Sequence, residues 1–178
     1  DTPVHTLPAF IPGLKLSRSF YEEAVAPILA EHFPGLSHAA GLLGTGSETL
    51  GFDTPRSMDH WWGPRVEIFL RHEDFTPALR DRIGAVLADR LPFEFGGFPT
   101  HMLEVNRATG SVFMTPTSQR PINHMVRVIT ARGFLTNYLG AHPLDELLSP
   151  AQWLAMPEQH LRTVAAGGVW HDATGELT

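Results

Sequence analysis

A chain of 178 residues has the length of one domain and can enclose a substantial core. A net charge of −6 with only 13 lysines and arginines argues against a protein that binds nucleic acid by neutralising phosphates. The absence of cysteine excludes disulfides, thiolate metal sites and a cysteine nucleophile. No apolar run reaches the roughly 20 residues of a membrane span and no signal peptide is visible, so we expect a cytoplasmic protein without a membrane partner.

The N-terminal residues predict an arm followed by a helix. Residues 1–15 form the expected arm, since the first 13 are rich in proline. The sequence Ser-Phe-Tyr-Glu at 19–22 has the pattern of a capping box, in which the serine hydroxyl and the glutamate each bind a backbone N–H group. The helix is expected to run to about His32, with a kink at Pro27, because proline lacks the N–H group that a helix interior requires.

Two strands and a helix are predicted next. Residues 39–43 form a short apolar run bounded by glycine, which is typical of a buried strand. The segment Arg65–Leu70 alternates between polar and apolar residues, as a second strand would. Thr76 and Pro77 have the residue types of an N-cap and a first helical position. A helix is therefore expected to begin at Pro77.

The following segments predict two more strands and a short helix. Residues 101–105 and 125–129 are rich in apolar and β-branched side chains, as strands are. The polar, proline-bearing stretch 115–123 lies between them and is expected to form a connection. Residues 134–139 are expected to form a short helix.

The C-terminal part predicts helices. The sequence Ser-Pro-Ala-Gln at 149–152 repeats the capping-box pattern, and helical segments are expected from there to about Val169. The order of elements predicts an α+β fold, with a mixed sheet flanked by helices. We divide it into a main domain at 16–145 and a C-terminal helical segment at 146–178.

A glycine-rich turn after the first predicted strand is the candidate site. In Gly44-Thr45-Gly46-Ser47 the glycines let backbone N–H groups approach an anion closely, and Ser47 adds a hydroxyl donor. The pattern is weak alone, because it lacks the third glycine of a dinucleotide-binding fingerprint and the Gly-Lys pair of a P-loop. An ordinary tight turn is the alternative.

Polar residues just before the second strand add to this site. Asp53, Ser57 and Asp59 lie there, and carboxylates at that place would hold Mg²⁺ against phosphates bound at the turn. Arg65 would bind a phosphate with two parallel hydrogen bonds. The alternative is that both aspartates cap turns and that Arg65 is solvated.

These residues resemble the nucleotidyltransferase superfamily. Gly46-Ser47, a gap of eleven residues and then Asp59 are similar to its glycine-serine turn followed by an acid-x-acid pair. The longer string through Gly51-Phe52-Asp53 and Asp59-His60-Trp61-Trp62-Gly63-Pro64-Arg65 resembles a bacterial family within it, DUF4037. The similarity extends over nearly the whole chain, from Phe10 to Asp172.

The resemblance implies a nucleotidyltransferase-like fold that transfers a nucleoside monophosphate from a nucleoside triphosphate (NTP) to an acceptor, with Mg²⁺ as cofactor. Asp59 would be the catalytic residue and metal ligand, and Gly44, Gly46, Ser47 and Arg65 would hold the phosphates. Proteins of this kind are longer and have a further helical region. A missing helical partner or a homo-oligomer is therefore expected beside the nucleotide or small-molecule ligand.

Two positions depart from the family pattern. The family has aspartate where Trp61 stands, and the glutamate expected on a later strand corresponds best to Arg127, with Glu104 as a less suitable substitute. A tryptophan cannot ligate Mg²⁺, and an arginine repels it. Transfer activity is thus expected to be lost or reduced, as in a pseudoenzyme, with Arg127 supplying positive charge itself.

Two alternatives stay open at this point. One is an active transferase with a rearranged site that uses Asp59 together with Glu67 or Glu104. The other is a repurposed pocket, lined by Trp61, Trp62 and Arg127, that binds a small molecule or a protein or performs different chemistry.

Overall fold

The computed structural model describes residues 8–44, 62–106, 108, 111–139 and 149–178. Helices and strands follow one another in the order α1 (Gly13–Phe20), a π-helical turn (Tyr21–Val25), α2 (Ala26–His32), β1 (His38–Leu43), β2 (Arg65–Leu70), α3 (Pro77–Arg90), β3 (Glu94–Phe95), β4 (Phe98–Pro99), β5 (Met102–Asn106), β6 (Ser111–Met114), β7 (Met125–Thr130), α4 (Ala131–Leu139), α5 (Pro150–Ala155), α6 (Glu158–Ala165) and β8 (Gly167–Asp172). No helix in these ranges is both long enough and apolar enough to cross a membrane.

The largest sheet within the described residues has four strands in the order β7-β2-β1-β8. β1 is antiparallel to both β2 and β8, whereas β2 and β7 are parallel. Parallel neighbours require a crossover connection, and α3 lies in the connection between β2 and β7. The predicted α+β class with a mixed sheet is confirmed. Two further pairs of strands, β3 with β4 and β5 with β6, form small antiparallel sheets.

Helices cover both faces of the four-stranded sheet. Side chains alternate along a strand, so β2 presents Val66 and Ile68 to the core that contains α1, α2 and α3, and Phe69 to the core that contains α4. Burial on both faces explains why residues 66–70 are all buried. Glu67 and Arg65 point to the same face as Phe69, the face that α4 covers.

The N-terminal helix begins earlier than predicted. Its first residue is Gly13, and the capping box at 19–22 is wrong, because these residues lie inside the helical segment with Phe20 fully buried. The irregularity expected at Pro27 is present as the π-helical turn just before it, in which the Ala26 N–H donates to the Tyr21 carbonyl. Proline cannot donate to the carbonyl four residues earlier and its ring pushes that carbonyl away, which favours a widened turn.

Helix α3 begins where the sequence predicts. Pro77 is its first residue and the Thr76 hydroxyl accepts a hydrogen bond from the Leu79 N–H at 3.1 Å. Ile83 and Leu87 are fully buried in the core beneath the sheet. The predicted strands at 39–43, 65–70, 101–105 and 125–129 and the helix at 134–139 are also present, with bounds that differ by at most three residues. Strands β3, β4 and β6 were not predicted.

The C-terminal segment is only partly helical. Its capping box is confirmed, since Ser149 and Gln152 bind each other's backbone N–H groups. The helix prediction up to Val169 is wrong, because β8 joins the four-stranded sheet beside β1. Gly167 has φ of 102°, and a Cβ there would lie 1.9 Å from the Leu42 carbonyl oxygen, so glycine allows β8 to approach β1 closely. The segment 146–178 thus shares a sheet with the main domain.

Candidate functional site

The middle of the predicted site lies outside the described residues. This holds for Gly46, Ser47, Asp59 and Trp61, and also for Asp53 and Ser57. Their proposed roles in phosphate binding, metal binding and catalysis stay predictions. The structure places the residues on either side of them, which are Gly44, Trp62, Arg65, Glu67 and Arg127.

Glu67 and Arg127 form an ion pair across neighbouring strands. They occupy the same register position of β2 and β7, and the Arg127 Nη2 donates to the Glu67 Oε1 at 2.6 Å. Glu67 is buried, whereas 57% of the Arg127 side chain is exposed. The second carboxylate oxygen, Oε2, is buried without a hydrogen-bond partner among the described residues. The pair therefore joins an interior carboxylate to a cation at the surface.

The electrostatics of Glu67 follow from its position in the sheet. Burial raises the pKa of its carboxyl, while the charge and hydrogen bond of Arg127 and the charge of Arg65 act to lower it. Burial has the larger effect, so the pKa lies above the ordinary value of 4.5. Arg65 contributes because it stands two residues earlier on the same face of β2.

The described residues do not fit Mg²⁺ at Glu67. A carboxylate ligand must offer its oxygens to the metal, but Oε1 is bound by a guanidinium that would repel a second cation. The described ranges also contain no cluster of three or more histidine, aspartate or glutamate side chains placed to hold a metal ion. Glu104 lies on β5, in a separate two-stranded sheet. Asp59, the predicted metal ligand, lies outside the described residues.

Gly44 ends β1 against helix α4. Its φ is 89°, and a Cβ there would lie 2.7 Å from the Tyr138 hydroxyl oxygen and 3.2 Å from the Phe134 ring. Both the positive φ and the lack of space for a Cβ require glycine at this position. The predicted close approach to a phosphate stays a prediction, and the atoms nearest to this added Cβ among the described residues belong to two aromatic side chains of α4.

Trp62 lies in a buried cluster at the core. It is 3% exposed, stacks on Phe10 with ring centres 6.1 Å apart, and forms a T-shaped pair with Phe98 with ring centres 4.9 Å apart. Its indole N–H has no hydrogen-bond partner among the described residues. The pocket that the sequence predicts from Trp61, Trp62 and Arg127 stays a prediction, since Trp61 lies outside the described residues.

A cavity of about 340 Å³ lies beside Arg127. Residues 127–130 of β7 line it together with Arg80 of α3 and Asn137 of α4, and three aromatic side chains complete the lining, those of Phe75, Phe134 and Tyr138. Sequence reasoning missed all of these except Arg127, because they come from separate elements and have no shared local pattern. Phe134 and Tyr138 connect the cavity to Gly44, since they also contact that glycine.

Neither a family model nor a curated protein nor a solved structure matches this chain.

Proposed function

We propose that this chain is a ligand-binding protein with a nucleotidyltransferase-like fold, in which metal-dependent nucleotidyl transfer is lost or reduced. Its ligand is a nucleotide or another small anion, held by cationic side chains of the protein without Mg²⁺.

The ion pair between Glu67 and Arg127 is the observation that carries this proposal. In the resemblance to the superfamily, Arg127 stands where a glutamate serves as base and metal ligand. Glu67 is the neighbouring carboxylate that would replace it, but its Oε1 lies 2.6 Å from the Arg127 guanidinium. A carboxylate engaged in this way is a poor ligand for Mg²⁺, and the arginine supplies positive charge for an anion directly.

The distribution of charge supports an anionic ligand. The whole chain carries a net charge of −6, yet the cavity beside Arg127 is lined by two arginines and, among the described residues, by no acidic side chain. The carboxylates that pair with these arginines, Glu67 and Asp81, do not line the cavity, so a ligand there would meet the guanidinium groups.

Calorimetry with ATP tests the proposal. We expect ATP to bind with an affinity that changes by less than about threefold between excess Mg²⁺ and excess EDTA, because protein cations replace the metal. The double variant Glu67→Gln/Arg127→Gln, which removes the cation without leaving a buried charge unpaired, should weaken binding about tenfold.

The matched control removes a surface ion pair of α6. The double variant Glu158→Gln/Arg162→Gln breaks a pair of similar length, 2.9 Å, in which both side chains are exposed, and should leave ATP binding unchanged. Binding that requires Mg²⁺, or release of pyrophosphate from ATP, would contradict the proposal and restore the active transferase.

A further inference from the structure

The cavity beside β7 has the size of a small-molecule site. Its volume of about 340 Å³ lies at the lower end of the range of roughly 300–1,000 Å³ for such sites. One planar ring with a charged substituent fills a space of this size, and a nucleotide held through Arg127 would extend beyond it. Helices α3 and α4 form its sides and the edge strand β7 lies between them.

Two arginines bring unused hydrogen-bond donors to the cavity. Arg80 donates through Nε to Asp81 at 3.0 Å, and Arg127 donates through Nη2 to Glu67 at 2.6 Å. Their other guanidinium N–H groups make no hydrogen bond within the described residues. Since arginine presents donors in a planar fork that matches carboxylate and phosphate oxygens, the two side chains favour a ligand with such a group.

Aromatic and amide groups complete the lining. Phe75, Phe134 and Tyr138 offer ring surfaces on which a planar ligand can pack. Asn137 offers both a donor and an acceptor. Within the described residues β7 pairs with β2 alone, so residues 127–130, which line the cavity, also have backbone groups on their outer edge that pair with no described strand.

From this lining we infer that the cavity binds a planar ring that carries one anionic oxygen group, either a phosphate monoester or a carboxylate, with Arg80 and Arg127 as its anion contacts. The inference rests on the proposed function only in assigning Arg127 to the ligand. It adds Arg80 as a binding residue, and it limits the part of a ligand that the cavity holds to a ring with one charged group.

An NMR titration of the whole chain tests the site. The probes are phenyl phosphate, benzoate, inorganic phosphate and benzyl alcohol. We expect phenyl phosphate or benzoate to shift the backbone amides of Thr130, Gly133 and Asn137, and to bind about tenfold more tightly than inorganic phosphate, because the ring adds buried apolar area. Benzyl alcohol should bind more weakly still, since it lacks the anion. The tighter of the two ring anions identifies the charged group.

Two arginines of the same helix provide a matched pair of variants. Arg80→Gln should weaken the better ring anion about tenfold, the loss expected for one charge-assisted contact. Arg90→Gln is the control, because Arg90 ends α3 and does not line the cavity. Like Arg80, it lies beside an aspartate that follows or precedes it in the sequence, with its Nε 3.7 Å from Asp89. Arg90→Gln should leave the affinity unchanged.

Three results would overturn the inference. They are no shift at the three amides, inorganic phosphate binding as tightly as both ring anions, and equal losses for Arg80→Gln and Arg90→Gln. None of these measurements uses ATP or Mg²⁺. Metal-dependent ATP binding with normal phenyl phosphate binding would therefore reject the proposed function alone, whereas metal-independent ATP binding without any of the expected cavity shifts would reject the cavity assignment alone.

Discussion

Glu67 and Arg127 lie directly opposite each other on parallel strands, and a hydrogen bond of 2.6 Å joins them. Because β2 lies inside the sheet and β7 at its edge, the carboxylate is buried while the guanidinium reaches the surface. The arginine thus compensates an interior charge and at the same time extends into the cavity. Stability and ligand binding depend on the same side chain.

Arg127→Gln should lower the free energy of unfolding. Removing the cation leaves Glu67 buried and without its ionic partner, and we expect a loss of about 1–3 kcal/mol, less than for a fully buried pair because Arg127 is half exposed. Urea unfolding measures it. Adding Glu67→Gln to this variant should recover part of the loss. Additive effects of the two substitutions would mean that the pair contributes nothing.

The same variant has a pH dependence of defined sign. Burial raises the folded-state pKa of Glu67 above its value of 4.5, so ionisation of this group opposes folding, and loss of Arg127 raises the pKa further. The destabilisation by Arg127→Gln is therefore full near neutral pH and shrinks as the pH falls through the folded-state pKa toward the ordinary value. As a control, Glu158→Gln breaks an exposed ion pair of α6 and should lower the free energy of unfolding by less than about 1 kcal/mol.

Gly44→Ala should destabilise the fold more than Gly35→Ala. Both glycines have positive φ, 89° and 79°, but a Cβ at Gly35 meets open space, whereas one at Gly44 meets the Tyr138 hydroxyl. We expect about 1 kcal/mol for backbone strain at Gly35 and about 2–4 kcal/mol at Gly44, where a clash is added. Thermal unfolding measures both, and Tyr138→Phe should partly rescue Gly44→Ala. Equal losses would refute the close contact.

His124 should remain neutral below the ordinary pKa of histidine. Its Nε2 lies 2.8 Å from the Gly84 carbonyl and must donate, so its Nδ1 accepts from the Val126 N–H at 3.1 Å. Burial lowers the pKa from 6.5, and the hydrogen bond to Gly84 opposes this only in part. An NMR titration of the imidazole measures the pKa directly. A value of 6.5 or higher would contradict the buried, neutral ring.

This histidine also predicts how stability changes with pH. The unfolded chain binds a proton near the ordinary pKa of 6.5 and the folded chain does not, so the contribution of His124 decreases as the pH falls below that value toward the folded-state pKa. His124→Asn should make the free energy of unfolding depend less on pH in this interval.

Asp172 should hold the C-terminal turn together. Its carboxylate accepts hydrogen bonds from the backbone N–H groups of Thr174, Gly175, Leu177 and Thr178 and from both threonine hydroxyls. We expect Asp172→Ala to lower the free energy of unfolding by about 1–2 kcal/mol, in the range of a helix N-cap, because the site is partly exposed. Asp89→Ala, at a surface pair of α3, is the control.

The stability supplied by Asp172 should disappear in acid. Partial burial acts to raise its pKa, but the hydrogen bonds from Thr174, Thr178 and neighbouring amides outweigh it and lower the pKa from 3.8 to about 2. The contribution is therefore present above 3.8 and is lost as the pH falls through about 2. Over this pH interval the free energy of unfolding of Asp172→Asn should depend less steeply on pH than that of the unchanged protein. An unchanged slope would contradict the role given to Asp172.

Local sequence patterns predicted the start of a helix correctly where both hydrogen-bonding residues lie within one helical turn. The start of α3 depends on the Thr76 hydroxyl and an amide three residues later, and the capping box joins Ser149 to Gln152 in the same way. The patterns failed at residues 19–22, where a serine and a glutamate with the correct spacing lie inside a helix that starts at Gly13. They failed again at β8, whose partner strand lies far away in the sequence.

By itself, the sequence determined the α+β class and most element positions. It also identified four separate site candidates, which are Gly44, Arg65, Glu67 and Arg127. Only the tertiary structure decided that Glu67 and Arg127, 60 residues apart, form one ion pair, and that Arg80 of α3 lines the same cavity. The physical reason is strand register. Which charges meet depends on how β2 pairs with β7, and that pairing is set by the burial of apolar side chains on both faces of the sheet.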